Sequence, residues 1–374
     1  MKKILQLGMT QIYGGTEAYL IHQYREINKN KYKYEFISML NSDMKICFED
    51  EIKEHSSVIK LPFDRKHHPI KTYLRWLLWM KKNASRYDAL VYNINGLNIS
   101  FPVLAYKIFG SGKVIIHSHN SGEMDGNDSL LLKTIRLVNK FIINQVVDKR
   151  LACSKLAGRY IFGNKKNIQI IHNGIEINKY KFNPKKRRYI RSQYGLDNCL
   201  VLGHVGRFSY QKNQEFLLDV IYNLHKKDPR TILFMIGDQT GNPELAAKVY
   251  NIIEERKMQE YVIIESPKMN LNEYYSAFDV FLLPSRFEGL PLVGIEAQTA
   301  GLRSFFSDTI SREVAITPFS NFLGIDDDSV NEWVNGILSQ KYPYDRESAP
   351  DFVKKAGYDL HDQIIKIEEI YKKL

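Results

Sequence analysis

Short apolar runs alternate with amphipathic stretches along most of the chain, and this alternation predicts strands and helices in turn. The strands predicted in the first half are Lys3–Leu7, Tyr34–Met39, Val58–Leu61, Ala89–Asn93, Lys113–His117, Arg150–Ala152 and Ile168–Ile171. Helices are predicted between them near residues 16–28, 70–83, 97–109, 130–147 and 154–161. Such alternation is typical of a parallel sheet with helices on both faces.

A second set of strands and helices follows a basic segment, Lys181–Arg191, which we interpret as a passage between domains. The strands predicted here are Val201–Val205, Thr231–Ile236, Val262–Glu265, Val280–Leu283 and Ser304–Phe306, with helices near 213–227, 243–258, 271–277, 291–300 and 329–339. The last stretch, Gly357–Leu374, is amphipathic and predicts a final helix. Two similar α/β halves indicate a ligand site in the cleft between them.

Length and charge narrow the class of protein. The chain has 374 residues, 44% of them apolar, which suits two globular domains. Its three cysteines are scattered, as expected in a reducing cytosol, and no segment predicts a signal peptide or a membrane span. The net charge of +11 favours an anionic partner: nucleic acid, nucleotide phosphates or an acidic membrane. No nucleic-acid-binding motif accompanies that charge, so we expect no nucleic-acid partner.

Residues 279–301 carry two glutamates in a strand–turn–helix pattern. Val280–Leu283 predicts a buried parallel strand, and Pro291 suits the first position of the next helix. Glu288 therefore follows the strand, where open α/β sheets bind ligands, and Glu296 lies within the helix. Two carboxylates in one crevice suit a ligand rich in hydroxyl groups, such as a sugar with a ribose. The alternative is a solvated loop and helix face.

Gly206, Arg207 and Lys212 lie in a loop between a predicted strand and a helix that begins near Asn213. A guanidinium fork and a flexible ammonium group beside a helix N-terminus suit a diphosphate. A solvated basic loop is the alternative, and these residues alone do not decide between the two.

Two glycine motifs are weaker. Gly14 and Gly15 link the first strand to the first helix, where bare N–H groups can approach an anion. The dinucleotide-binding glycine fingerprint is absent, so a plain turn is an equal alternative. Asn173 and Gly174 end the first half in a pattern that indicates only a turn when taken alone.

His117 and His119 lie at the end of a predicted strand. Histidine pairs can ligate a metal, but no third ligand stands at a recognisable spacing, and we predict no metal site. We expect the two side chains to point to opposite faces, so that at most one of them joins a site. A structural histidine is the general alternative, while His119, at the carboxyl end of the strand, is the better functional candidate.

Two charged segments have competing interpretations. Asp326–Asp328 could hold a metal, but acidic residues are favourable before a helix N-terminus, here at Ser329, and we prefer that structural interpretation. His67–Lys82 combines cations with two tryptophans. This composition suits the surface of an anionic membrane, and an ordinary helix with a basic outer face is the alternative.

Taken in order, these motifs resemble the retaining glycosyltransferases of the GT-B fold, specifically family 4, in the branch that builds bacterial capsular and exopolysaccharides. The resemblance covers nearly the whole chain. It implies an α/β protein with two Rossmann-like domains facing across a cleft and a last helix that crosses back to the first domain. The expected limits are 1–180 for the acceptor-side domain, 181–356 for the nucleotide-sugar-binding domain and 357–374 for the crossing helix.

The resemblance also implies roles for the residues that match the motifs. The catalytic candidates are His119, Arg207, Lys212 and Glu288. The substrate-binding candidates are Gly14, Gly15, Asn173, Gly206, Gly289, Leu290, Pro291 and Glu296. In the family pattern the two cations bind the donor diphosphate, the glutamates hold hydroxyls of the sugar and the ribose, and the histidine contacts the donor sugar. The family needs no metal or other cofactor.

The leading hypothesis is a cytoplasmic enzyme that transfers a hexose or its derivative from a nucleotide-sugar, expected to be a UDP-sugar, to a saccharide acceptor. For this branch the acceptor would be carried on a polyprenyl diphosphate at the inner face of the cell membrane. Asp238, Glu265 and Arg303 depart from the family pattern, which leaves the base and the donor sugar open. The alternative is a catalytically silent nucleotide-sugar-binding subunit that acts through a partner.

Overall fold

The computed structural model describes residues 1–41, 43–122, 129–268, 270–339 and 345–374. The chain divides into two compact units. Unit 1 consists of Met1–Gly174 together with Leu360–Leu374, and unit 2 consists of Ile175–Asp359. The domain limits expected at residues 180 and 356 stay predictions.

Unit 1 is a parallel α/β sheet. Its strands are β1 (Lys2–Leu7), β2 (Tyr32–Ser38), β3 (Val58–Lys60), β4 (Ala89–Ile94), β5 (Lys113–Ser118), β6 (Lys149–Ala152) and β7 (Ile168–Ile170). Its helices before the C-terminus are α1 (Gly15–Glu26), α2 (Glu49–His55), α3 (Pro69–Asn83), α4 (Phe101–Phe109), α5 (Leu130–Val146) and α6 (Lys155–Phe162), with a 3-10 turn at Ala84–Arg86. The strand order is β3-β2-β1-β4-β5-β6-β7, and all neighbours run parallel.

Apolar cores cover both faces of this sheet, which is why its strands read as continuous apolar runs. One core contains Leu20 of α1 and Ile52 of α2, and the other contains Trp76 of α3 and Tyr106 of α4. The sequence pattern missed α2, because this short charged helix buries only one apolar side chain, that of Ile52. No helix in the described part of the chain combines the length and the hydropathy needed to cross a bilayer.

Unit 2 repeats the architecture. Its strands are β8 (Leu200–Val205), β9 (Thr231–Ile236), β10 (Val262–Glu265), β11 (Val280–Leu283), β12 (Arg303–Ser307) and β13 (Ser320–Leu323). Its helices are α7 (Ile177–Tyr180), α8 (Pro184–Gln193), α9 (Gln214–Lys227), α10 (Pro243–Glu255), α11 (Leu271–Ala277), α12 (Leu292–Thr299), α13 (Val330–Ser339) and α14 (Ala349–Lys355), with a 3-10 turn at Arg312–Val314. The parallel sheet has the order β10-β9-β8-β11-β12-β13. Every strand predicted for the two halves is confirmed within two residues of its limits.

The basic segment Lys181–Arg191, interpreted above as a passage between domains, lies within unit 2. It contains most of helix α8, which packs in unit 2 with Asn183 as its N-cap. Arg187 Nη2 lies 2.6 Å from Asp279 Oδ1, and Arg191 Nη1 lies 3.1 Å from Asp279 Oδ2. Arg187 and Arg191 therefore pair with the partly buried carboxylate of Asp279, which precedes β11. Asp279 is too distant in sequence to be recognised as their partner.

The last helix, α15 (Leu360–Lys372), belongs to unit 1. Leu360, Ile364 and Tyr371 are buried in the same core as α1. The amide of Gly174 donates to the side-chain carbonyl of Gln363, which fastens the end of the first segment of unit 1 to this helix. The predicted return of the chain to its first half is confirmed.

The Asp279 cluster yields a stability prediction. Replacing Arg191 by Met removes three hydrogen bonds, to Asp279 and to the carbonyls of Ala277 and Cys199, and leaves the carboxylate less compensated. We expect a loss of about 2 kcal/mol, the range for hydrogen bonds to charged groups. Thermal unfolding should show it as a lower midpoint. Arg188→Met on the exposed side of α8 is the matched control, and equal midpoints for the two variants would contradict the assignment.

Candidate functional site

In unit 2, the loop between β8 and α9 brings Arg207 and Lys212 to the carboxyl end of the sheet. Asn213 closes the loop in the left-handed region, at φ 56°, which Asn tolerates better than most residues. Gln214 then donates from Nε2 to the carbonyl oxygen of Arg207 at 3.0 Å, so the first residue of the helix fixes the loop backbone. The loop is therefore a shaped segment.

Gly206 leaves room for Lys212. A Cβ at Gly206 would lie 3.0 to 3.2 Å from three carbons of the Lys212 side chain, so the lysine stem runs directly over the glycine. Lys212 Nζ then reaches Glu288 Oε1 at 2.6 Å. The Arg207 guanidinium donates no hydrogen bond to any described residue, although its charge helps the Thr240 hydrogen bonds to lower the pKa of Asp238. Arg207 is thus the cation of this loop whose guanidinium has no hydrogen-bond partner among the described residues.

Glu288 lies in the loop between β11 and α12, beside the first loop, because β8 and β11 are neighbours in the sheet. The two loops are also joined by hydrogen bonds to main-chain carbonyls. Gln211 Nε2 donates to the Phe287 carbonyl at 2.9 Å, and the Arg286 amide donates to the Gln211 carbonyl at 2.8 Å. Sequence reasoning missed Gln211, whose role depends on this pairing across 76 positions.

Helix α12 begins just after Gly289, Leu290 and Pro291, all of which are buried. The amides of Gly289 and Leu290 donate to no described residue, so two N–H groups stand at the positive end of the helix. This arrangement can receive hydroxyl or phosphate oxygens. It lies in the same loop as the Glu288 carboxylate.

Glu296, in the middle of α12, is buried and faces two tyrosines. Tyr275 OH donates to Glu296 Oε2 at 2.8 Å, and Tyr180 is a second hydroxyl partner. Burial raises the pKa of Glu296, and the tyrosine hydrogen bonds offset part of that effect. Neither tyrosine was predicted, since nothing in the local sequence relates them to position 296.

In unit 1, Gly14 is the N-cap of α1 and Gly15 is its first residue. A Cβ at Gly15 would meet nothing within 4 Å, so the backbone here borders open space. The preceding loop is anchored by Glu17, whose Oε1 accepts from the amide and the hydroxyl of Thr10 at 3.1 and 2.8 Å. The turn can offer N–H groups to an anion, and it fits a plain helix start equally well, so the assignment of Gly14 and Gly15 stays a prediction.

His117 and His119 point to the same side of their strand, and the expectation that they would diverge was wrong. Their ring centroids lie 4.1 Å apart, and Tyr19 packs against both rings. The reason is the period of two along a strand, which places residues i and i+2 on one face. Burial holds the pKa of both imidazoles below the usual range, and that of His119 falls to about 3. Both rings are therefore neutral at physiological pH.

Asn173 is buried, with 2% of its surface exposed, and its Oδ1 has no hydrogen-bond partner among the described residues. The amide of its neighbour Gly174 is held by Gln363, so the turn is fixed by α15. An unpartnered buried carbonyl is unusual and is available to a hydrogen-bond donor. The motif is thus more than the plain turn its sequence suggests.

The residues that depart from the family pattern have structural partners. Arg303 Nη2 donates to carbonyl oxygens near the end of α13, those of Gly336 and Ile337, at 3.2 and 3.4 Å. Glu265 accepts from Tyr194 OH and pairs with Lys268, each at 2.7 Å. These contacts explain the substitutions by local packing.

The acidic run before α13 has the structural role that we preferred. Asp326 Oδ1 accepts from the amide and the hydroxyl of Ser329, at 2.9 and 2.5 Å, one residue before the helix begins. Across the described ranges, no group of three or more His, Cys, Asp and Glu side chains is arranged to hold a metal ion.

Comparison with known proteins places this geometry in a family. Residues 186–354 match the family Glycosyl transferases group 1, a span that includes Arg207, Lys212, Glu288 and Glu296. Residues 186–354 are a group 1 glycosyltransferase domain. The cations and carboxylates described above for unit 2 therefore lie within a domain of this enzyme class.

The likeness extends beyond the glycosyltransferase domain. EpsF of Bacillus subtilis (strain 168), named as a glycosyltransferase, is 28% identical over 324 residues, which cover 84% of this chain and 81% of EpsF. CapH of Staphylococcus aureus, a capsular polysaccharide biosynthesis glycosyltransferase, is 28% identical over 79% of each chain. The crystal structure of HepE from Anabaena with UDP-glucose superposes with a TM-score of 0.78 at 18% identity, with both chains fully covered. The predicted GT-B fold is confirmed.

Glu296 yields a prediction on pH and stability. Its folded-state pKa is raised, so the folded chain binds this proton more tightly than the unfolded chain does. The stabilisation is complete below the unfolded pKa of about 4.3 and is lost as the pH rises through the folded pKa. Glu296→Gln should therefore raise the thermal midpoint at pH 8, and the gain should shrink toward pH 4.

The control for this measurement is Glu254→Gln at an exposed position of α10, for which we expect no comparable gain. A Glu296→Gln protein that is less stable than the unmodified chain at pH 8 would contradict the prediction.

Proposed function

We propose that the chain is a retaining glycosyltransferase that moves a hexose or hexose derivative from a nucleotide-sugar to a saccharide acceptor in polysaccharide biosynthesis. The observation that carries the proposal is the 2.6 Å contact of Lys212 with Glu288 at the ends of neighbouring strands of the group 1 domain. A UDP-sugar is the proposed donor, because HepE was solved with UDP-glucose. The name of CapH supports the polysaccharide setting.

The donor diphosphate is assigned to Arg207 and Lys212. Lys212 has three N–H donors, and its contact with Glu288 leaves others for phosphate oxygens. Arg207 adds a planar fork, and the N-terminus of α9 adds its positive end. These groups stabilise the negative charge that grows on the departing nucleotide, which is often the largest catalytic contribution. The proposal gives this task to side chains and requires no metal.

The two glutamates are assigned to hydroxyl groups of one ligand. Glu288, with the free amides of Gly289 and Leu290 and the adjoining Pro291, would position the transferred sugar. Glu296 would accept hydrogen bonds from the ribose, and Tyr275 holds its carboxylate in place. Glu288 is already paired with a cation, so we do not assign the pair as the opposed acid and nucleophile of a glycosidase.

Retention then follows from attack on the same face from which the nucleotide departs. The bond between the anomeric carbon and the diphosphate oxygen breaks, the acceptor hydroxyl forms the new bond, and its proton passes to the departing diphosphate. In unit 1, His119 is assigned to the donor sugar, Gly14 and Gly15 to a phosphate or the acceptor, and Asn173 to the substrate site.

A lipid-linked acceptor is proposed from the surface of unit 1. Helix α5 turns apolar residues outward: Leu130, Leu131, Leu137, Val138 and Phe141 are exposed. Its inner face packs through Ile143 and Val146 in the core of unit 1 and through Asn139 and Lys140, which donate to backbone carbonyls at 2.8 and 2.6 Å. The exposed apolar stripe takes no part in this packing, and a contiguous exposed apolar patch marks an interaction site.

The charges around this stripe indicate which partner. Helices α3, α4 and α5 pack side by side, and none of the three contains an acidic residue. Apart from Arg136 and Lys140, which are directed inward, their cations are Lys71, Arg75, Lys81, Lys82, Lys107 and Lys133, and Lys107 is paired with Asp148. Apolar side chains among cations fit an anionic lipid surface. We propose peripheral attachment at the inner face of the cell membrane, where a polyprenyl-diphosphate-linked acceptor would be available.

Lys212→Ala tests the catalytic assignment. Loss of the diphosphate cation should lower turnover of the cognate donor at least about a hundredfold, the scale for removing one charge-stabilising group. Donor hydrolysis by the purified protein, screened over UDP-sugars, provides the assay. Lys248→Ala, at the exposed pair with Glu215, is the control and should stay active. Near-normal turnover by the Lys212 variant would refute the assignment, and no turnover of any donor by the unmodified chain would favour the silent-subunit alternative.

Phe141→Glu tests the membrane assignment. A carboxylate in the apolar stripe should reduce binding to phosphatidylglycerol vesicles by about tenfold or more, because burial of the ring is lost and the lipid is anionic. Sedimentation with the vesicles measures it. Ile365→Glu on α15 makes the same change at another exposed apolar position. Equal vesicle binding by the two variants would contradict attachment through α5.

A further inference from the structure

A chain of buried polar side chains runs from His119 to the C-terminal helix of unit 1. His119 Nε2 lies 3.1 Å from Asn93 Oδ1. Asn93 Nδ2 donates to Gln6 Oε1 at 3.1 Å, and Gln6 Nε2 donates to Tyr371 OH at 3.3 Å. All four side chains are buried. The sequence analysis singled out only His119 among them.

The direction of the hydrogen bonds in this chain is set by a backbone group. Asn93 Nδ2 also lies 3.3 Å from the carbonyl oxygen of Leu7, which can only accept. A flipped amide would place two acceptors against each other there, so the nitrogen must face Leu7 and the oxygen must face His119. Gly8 lets the strands approach this closely, since a Cβ at Gly8 would lie 2.1 Å from the Asn93 carbonyl oxygen.

The orientation of Asn93 determines the tautomer of His119. An amide oxygen accepts only, so the imidazole must donate from Nε2. Burial keeps the ring neutral, and a neutral ring with its proton on Nε2 has a bare lone pair on Nδ1. That Nδ1 is buried and has no hydrogen-bond partner among the described residues. A buried acceptor of this kind is prepared for a donor from outside the chain.

We propose that Asn93 is a positioning residue that holds His119 as the Nε2–H tautomer, so that the unprotonated Nδ1 accepts a hydrogen bond from a hydroxyl of the saccharide ligand. Gln6 supports Asn93 by accepting its second N–H at Oε1, and Tyr371 supports Gln6 by accepting from its Nε2. The hydrogen bond from the saccharide to His119 Nδ1 rests on the proposed function, whereas the tautomer of His119 does not.

The other end of this hydrogen-bonded chain, at Tyr371 and Tyr34, supports the same orientation of the Asn93 amide. Tyr34 OH donates to Gln23 Oε1 at 2.9 Å and lies 3.3 Å from Tyr371 OH. With the Tyr34 proton committed to Gln23, the Tyr371 proton is directed to Tyr34, and Tyr371 is left as the acceptor for Gln6. Each donor in the series therefore has one partner, and reversing any member leaves a buried group unpaired.

The tautomer can be measured directly by nitrogen NMR of the full chain labelled with ¹⁵N at its ten histidines. His119→Gln identifies the His119 signals by their loss. In the unmodified chain we expect a protonated Nε2 and an unprotonated Nδ1 at neutral pH. Asn93→Asp replaces the amide by a carboxylate, which should draw a second proton onto the ring and convert Nδ1 to N–H.

Asn139→Asp is the matched control. Asn139 also donates from Nδ2 to a backbone carbonyl and accepts at Oδ1, from Ser100, but lies in helix α5. Both aspartate variants should lose some stability, and only Asn93→Asp should shift the His119 signals. An Nδ1–H tautomer in the unmodified chain, or unchanged His119 signals in Asn93→Asp, would overturn the proposal.

The hydrogen bond from the saccharide to His119 Nδ1 is tested first by measuring the binding of UDP-glucose, UDP-galactose and UDP-N-acetylglucosamine. Analogues of the best binder are then measured, in each of which one sugar hydroxyl is replaced by fluorine. Fluorine cannot donate, so one analogue should bind the unmodified chain about tenfold more weakly, as expected for one unmatched hydrogen bond. Asn93→Asp, with an Nδ1–H, should lose that discrimination. Equal discrimination by both proteins would overturn the hydrogen bond from the saccharide to His119 Nδ1. If none of the three donors binds, both this hydrogen bond and the proposed function are overturned. The NMR signals of the His119 tautomer do not depend on donor binding, so they test the role of Asn93 separately.

Discussion

The ion pair of Lys212 and Glu288 is the contact on which the arrangement of unit 2 depends. Both side chains are largely buried, and either charge alone would be costly there, so the pair forces the loops after β8 and β11 to meet. Gly206 makes room for the lysine stem, and Gln211 ties the two backbones together. Because one cation is balanced internally, Arg207 is the group of this loop with no hydrogen-bonded partner among the described residues, which suits it to an anionic ligand.

The two units present different chemistry at their candidate residues. Unit 2 offers charges and, near a helix N-terminus, amides with no partner among the described residues, which favour phosphate and ribose groups. Unit 1 offers neutral acceptors instead, at His119 Nδ1 and Asn173 Oδ1, both buried and unpartnered among the described residues. Neutral acceptors select hydroxyl donors without attracting the diphosphate. The candidate residues of unit 2 therefore suit the diphosphate and ribose of a nucleotide, and those of unit 1 suit hydroxyl groups.

The sequence predicted the strands well because parallel strands buried on both faces are continuous apolar runs, as in Val280–Leu283. It also predicted the loops after β8 and β11 in which Lys212 and Glu288 lie. What it could not supply were partners far apart in the chain: Asp279 for the cations of α8, and Tyr275 for Glu296. The error at His117 was one of strand periodicity, which the residues themselves would have corrected. The outward stripe of α5 was missed because an amphipathic pattern does not reveal which face packs inward.

The departures from the family pattern bear on whether the site is active. If the chain were a silent subunit, substitutions would be expected among the groups that handle phosphate and sugar. Instead Arg303 fills a packing position against the end of α13, and Glu265 is engaged by Tyr194 and Lys268. Arg207, Lys212, Glu288 and Glu296 are all present, and the side chains of the last three are held by specific contacts. The pattern of change therefore favours an active transferase.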